Sequence, residues 1–180
     1  MKKILASAAV VALISGCSDN GADADGDGKI TTEEVAAEMN EVSLEHGEWE
    51  NTVEIIDVEI EGMPGGAPAG LIENMKSQKT TSKSCMSEEQ AKNPGAEFFS
   101  AQKEFDCEVK KFDMSGGAID SEMSCTNMNQ GAGQMTMAMT GQYGPSSYDM
   151  TLSMDGGAAG VNMKITAKNS GKRIGACTAG

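Results

Sequence analysis

Twelve residues near the start of the chain, DADGDGKITTEE from Asp23 to Glu34, hold most of the chemistry that residue type and spacing can reveal. Asp23, Asp25 and Asp27 place carboxylates at alternate positions. Lys29 then offers a backbone carbonyl, Thr31 a hydroxyl that binds directly or through water, and Glu34 a carboxylate able to bind with both oxygens. A calcium ion takes about six to eight oxygen ligands in this order, and the sharp turn midway needs a glycine, here Gly28. Calcium is therefore the cofactor that the stretch implies.

The pattern is that of an EF-hand loop, with Ile30 at the apolar position that forms a short β contact with a second loop in paired EF-hands. An exiting helix is expected over Thr31 to Leu44, where Val35, Met39 and Val42 recur at helical spacing, and His46-Gly47 should end it. No entering helix fits ahead of Asp23. A lone loop lacks a mate to preorganise it, so a dissociation constant of about 10⁻⁴ to 10⁻³ M is expected. Calcium should then stiffen a short tether and leave the melting of the rest of the chain nearly unchanged.

Other chemistry is sparse. The single histidine, His46, stands at a helix-to-strand junction beside Glu45, and no GxSxG or SxxK pattern accompanies the serines, so no enzyme is expected. The fourteen methionines include Met135, Met137 and Met139 on one strand face, a soft set suited to copper, but without nearby histidine they read as core filler. Lys172 and Arg173 form a lone basic pair that should meet local carboxylates. A formal charge of −13 repels nucleic acid, which is excluded as a partner.

The elements that must carry these residues begin with a leader. Lys2 and Lys3 precede an apolar run from Ile4 to Ile14 that is too short to cross a bilayer as a helix. The tetrad ISGC resembles the lipobox of bacterial lipoproteins, which implies cleavage before Cys17, acylation of Cys17 and, with Ser18 next, the outer membrane on its periplasmic side. Residues 1–16 then form a signal peptide, 17–22 a lipidated tether, 23–45 the loop with its helix, and 46–180 an antiparallel β domain.

Four cysteines remain for an oxidising compartment, which suits two disulfides. From Gly47 the apolar residues alternate, as in strands with one buried face. Trp49, Val53 and Ile55 share a phase that slips at Ile56, Val58 and Ile60, predicting a β-bulge in a long first strand. A polar stretch ending QKTTSKSC reads as an edge strand, and SEEQAKNP as a helical turn. Next, Phe105, Cys107 and Val109 alternate and, after a slip, Phe112 and Met114 continue. If Met114 faces Ile119 and one residue bulges at Lys110 or Lys111, Val109 faces Met123 and Cys107 faces Cys125. That leaves Cys85 with Cys177. The meander closes with Met135 to Tyr143, Tyr148 to Met154, Val161 to Ala167 and a final KRIGAC. About eight strands result, forming a curved sheet or small barrel.

The blocks HGEWENTVEI, CMSEEQAKNP, CEVKKFDMSGGAIDSEMSC, MTMAMTGQYGPSSYDMTLSM and SGKRIGAC resemble the exported proteobacterial family DUF3617 over roughly residues 46–177. The resemblance implies a secreted or membrane-tethered β domain and no reaction. The expected function is a non-enzymatic binding or envelope-structural module, with an envelope protein as possible partner. The alternative is a carrier holding a lipid or other apolar ligand inside the curved sheet, which an open apolar cavity would favour.

Overall fold

The computed structural model describes residues 21–68, 70–94, 106–126 and 133–177. The leader, Cys17 and Phe105 lie outside these residues.

Seven strands form one antiparallel sheet: β1 (Gly47–Glu61), β2 (Lys79–Met86), β3 (Asp106–Asp113), β4 (Ala118–Thr126), β5 (Gln134–Gly144), β6 (Ser147–Ala158) and β7 (Val161–Gly175), in the order β2-β1-β7-β6-β5-β4-β3. Among the described residues three short helices accompany them, α1 (Thr32–Met39), α2 (Leu71–Lys76) and α3 (Glu88–Lys92). The first and last strands in the order do not pair, so of the curved sheet or small barrel expected, the open sheet is the one formed. Among the described residues KRIGAC does not make the expected eighth strand, because its residues 172–175 continue β7. Arg173 still pairs with Trp49, and a local irregularity between Glu48 and Trp49 absorbs the bend that a turn would otherwise have made.

Both predicted bulges are present. On β1, Ile55 faces Ala167 and Asp57 faces Thr166, which leaves Ile56 as the extra residue. Val58 and Ile60, opposite Ile165 and Met163, thereby stay on the face of Ile55. On β3, Val109 faces Met123 and Lys111 faces Glu122, so Lys110 is extra, while Phe112 faces Ser121. Cys107 and Cys125 meet as a pair and form a disulfide, and Cys85 and Cys177 form the second. The ladder ends at Asp113 and Asp120, one pair before the expected Met114 and Ile119.

One end of the sheet is sealed by Trp49, which is 1% exposed, stacks on Tyr148 at 6.2 Å and donates its indole N–H to the Glu45 carbonyl at 2.9 Å. Tyr148 in turn donates to Asn51 Oδ1 at 2.8 Å. Gly171 lies directly under the Tyr148 ring, where any side chain would collide with it. Further along, the same face carries Met135, Met137, Met139, Leu152 and Met154, all half-buried. The methionines thus line an apolar face that remains partly open, where a sealed core was expected.

Candidate metal centre and apolar groove

The acidic loop is built around the start of α1. Thr31 is the N-cap: its hydroxyl accepts from the Glu34 amide at 3.3 Å, while Glu34 Oε2 accepts from the Thr31 amide at 2.8 Å, a reciprocal capping box. The helix stops at Met39, earlier than the expected Leu44, because the chain tightens there. The amides of Glu41 and Val42 reach back only three residues, to Glu38 and Met39. Residues beyond it run to the β5–β6 turn, where the Glu45 amide donates to the Pro145 carbonyl at 2.7 Å.

Three of the expected ligands converge. One carboxylate oxygen from each of Asp23, Asp25 and Asp27 lies within 4.8 Å of the others. Backbone amides hold these side chains in place: Gly28 donates to Asp23 Oδ2 at 3.1 Å, Asp27 to Asp25 Oδ1 at 3.1 Å and Lys29 to Asp27 Oδ1 at 2.7 Å. Asp23 Oδ1 is shut off from solvent and has no hydrogen-bond partner. A buried polar atom in that state costs about 1–3 kcal/mol, and more if it belongs to a charged group. A cation shared with Asp25 and Asp27 would remove that cost, so the donor set fits a hard ion such as calcium.

Glu34 stands outside this trio. Its Oε1 accepts from the Ala24 amide at 3.0 Å, and its Oε2 accepts from both the amide and the hydroxyl of Thr31, each at 2.8 Å. These bonds, the Thr31 amide first, hold the Glu34 carboxyl below its ordinary value. Glu34 thus uses its carboxylate to cap the helix and to tie the loop to Ala24, and it would have to give up one of these bonds to bind a metal.

The loop is not the lone unit that its sequence suggests. Ile30 forms an antiparallel bridge with Val109, at the bulge of β3, the strand at one edge of the sheet. Just before the loop, the Ala22 amide donates to the Phe112 carbonyl at 2.8 Å. Gly21 allows this approach with a φ of +57°, and a side chain there would strike the Phe112 carbonyl. Between these two backbone contacts, Ala22, Val35 at 1% exposure and Phe112 at 2% form a buried cluster, with Ile30, Met39, Val109 and Met114 packed around it. Glu38 completes the joint by accepting from the Met114 amide, while Tyr143 donates its hydroxyl to the Met114 carbonyl at 2.6 Å. Burial, with the charges of Asp113 and Glu41 adding to it, pushes the Glu38 carboxyl up.

A second feature escaped the sequence reading. An open apolar groove of about 420 Å³ lies beside the β6–β7 turn, lined chiefly by Ile60, Leu71, Met75, Met135, Val161 and Met163. Gly156 and Gly157 leave part of its wall without side chains. It follows one register row, in which Met135 faces Gly156, Gly156 faces Met163 and Met163 faces Ile60; beyond the groove, the same row continues from Met135 to Cys125 and Cys107. Leu71 and Met75 come from α2, a helix not expected ahead of the polar stretch that was read as an edge strand and forms β2. Their four-residue spacing was the signal that marked a helix with one apolar side.

Of the remaining candidates, His46 is exposed and its carbonyl accepts from Arg173 Nε at 2.8 Å. Arg173 also meets the Glu45 carboxylate at 3.5 Å, as the reading of the basic pair expected. A family model described as "Protein of unknown function (DUF3617)" matches residues 44–177. That span takes in every strand of the sheet and leaves the acidic loop and α1 outside it. No curated protein and no solved structure matches the chain.

Proposed function

Since the chain belongs to the DUF3617 family, whose description names no reaction, we infer its function from the leader sequence and the acidic loop: a lipid-anchored, non-enzymatic binding or envelope-structural module of the bacterial outer membrane, facing the periplasm and carrying a weak calcium loop. The observation that carries the calcium part of this reading is the convergence of Asp23, Asp25 and Asp27 around a buried carboxylate oxygen with no partner, while the anchor rests on the ISGC tetrad that ends at Cys17. Asp23, Asp25 and Asp27 would hold the ion, with Glu34 and the Thr31 hydroxyl beside them. Bound calcium supplies charge neutralisation here, and no reaction is routed through it.

Calorimetry on the full-length protein in detergent tests the reading. One site with a dissociation constant of about 10⁻⁴ to 10⁻³ M is expected. It should be lost in Asp23→Asn combined with Asp25→Asn, which leaves the Thr31 and Glu34 cap in place. No heat at millimolar calcium overturns it. Anchoring is tested separately: intact-mass analysis from the native host should find Cys17 acylated, and Cys17→Ser should release the protein from membranes.

The apolar groove favours the second reading, a carrier. A volume of about 420 Å³ lined by methionine, leucine, isoleucine and valine falls within the range of small-ligand sites and suits a single acyl chain. Native mass spectrometry of protein extracted from its own membranes would show such a ligand as a defined added mass.

A further inference from the structure

In paired EF-hands, each loop is steadied by a short β contact with its mate. This chain has one loop, yet Ile30, at the position that makes that contact, bridges Val109 on β3. The Ala22 to Phe112 hydrogen bond holds the loop's entry to the same strand three residues further on. The loop is thus attached to the sheet edge on both sides of Asp23, Asp25 and Asp27, and Val35 locks the exiting helix to Phe112 beneath it.

We propose that the edge strand β3 serves as the missing second EF-hand, so that calcium binding in the loop and ordering of the β3 edge are one coupled event. This deepens the calcium reading and rests on it. The physical argument has three steps. Without metal, the carboxylates of Asp23, Asp25 and Asp27 crowd within 4.8 Å and repel one another, which favours opening of the loop. Opening the loop pulls on Ile30 and Ala22, the residues that cover the outer hydrogen-bonding edge of β3. Neutralising the loop therefore closes that edge. Because the coupling is reciprocal, loosening β3 should weaken calcium binding, by at most the factor by which calcium orders β3.

Hydrogen exchange on the full-length protein in detergent, with and without millimolar calcium, reads this directly, alongside calorimetry on the same sample. The expected result is slowing by roughly tenfold at β3 amides, with β2 amides at the opposite edge unchanged. Asp23→Asn combined with Asp25→Asn should abolish the slowing. In the reciprocal arm, Cys107→Ser with Cys125→Ser removes the covalent tie between β3 and β4 and leaves only their backbone ladder, which should loosen β3 and weaken calcium affinity by about three- to tenfold. Ile30→Ala, which trims the bridge residue and leaves the disulfide intact, should act in the same direction. Calcium heat without slowing at β3, or equal slowing in every strand, overturns the coupling and leaves the calcium reading standing. Absence of heat overturns both.

Discussion

Ile30 in the acidic loop and Val109 at the bulge of β3 form an antiparallel bridge, and that contact joins the N-terminal segment to the sheet. Ile30 also packs on the cluster of Ala22, Val35 and Phe112. Ile30→Asp would set a charge against that cluster and beside the carboxylates already crowded in the loop. We expect a loss of about 2–3 kcal/mol, of the order of burying an unpaired polar group. Circular dichroism should show α1 fraying while the β signal persists.

Glu38 predicts a pH effect of definite sign. Its carboxyl is raised by burial, with Asp113 and Glu41 adding repulsion, and its Oε2 is buried without a partner. A raised folded value means that the folded state holds the proton more tightly than the unfolded chain. Stability from this group is full below the ordinary glutamate value, about 4.3, and falls as pH rises from there through the raised folded value. Glu38→Gln removes that loss while keeping an oxygen for the Met114 amide. Its melting temperature should exceed that of the wild type at pH 7 and match it near pH 4.

The two disulfides should differ in weight. Cys107 and Cys125 close a loop with a sequence separation of 18, and Cys85 and Cys177 one of 92. Chain-entropy scaling then gives stabilisations of about 3 and 4–5 kcal/mol respectively. Denaturant midpoints for the paired Cys→Ala variants should fall in that order, and non-reducing peptide maps should contain no Cys85–Cys107 link.

Leu71 offers the cleanest probe of the groove. It is 36% exposed on α2 and lines the cavity, so Leu71→Lys should cost at most about 0.5–1 kcal/mol in stability. Binding of a fluorescent fatty acid, followed by titration, should drop at least about tenfold. Unchanged binding would place the ligand elsewhere.

Much of the sheet could be read before its structure was known, because side-chain alternation counts residues. The slip at Ile56 and the bulge at Lys110 both follow from keeping apolar residues on one face, and the second places Cys107 opposite Cys125. The strand pair Met137–Met154 and Met139–Leu152 was legible for the same reason. What alternation does not carry is which edge a distant segment covers. Ile30 announced a need for a β mate, but nothing near it in sequence pointed to Val109. Likewise Met114 continues the alternation of Phe112, yet in the fold its backbone turns to Glu38 and Tyr143, contacts that become visible only once α1 has a place. The groove was hidden because it gathers residues from α2, β1, β5, β6 and β7 around glycines, whose lack of side chains leaves no pattern to count.

The open sheet has two rims, and each is guarded in its own way. β2 exposes all its residues but Met86, is almost wholly polar, and carries Lys79 and Lys83, so another strand adding there would have to strip water from ammonium groups. β3 is bent by its bulge and covered at Val109 and Phe112 by the segment containing the acidic loop. Strand-by-strand growth into filaments is therefore blocked at both ends, at one by hydration and at the other by a built-in cover. Loss of that cover would leave β3 as the sticky side of the molecule, and any self-association of damaged protein should begin there.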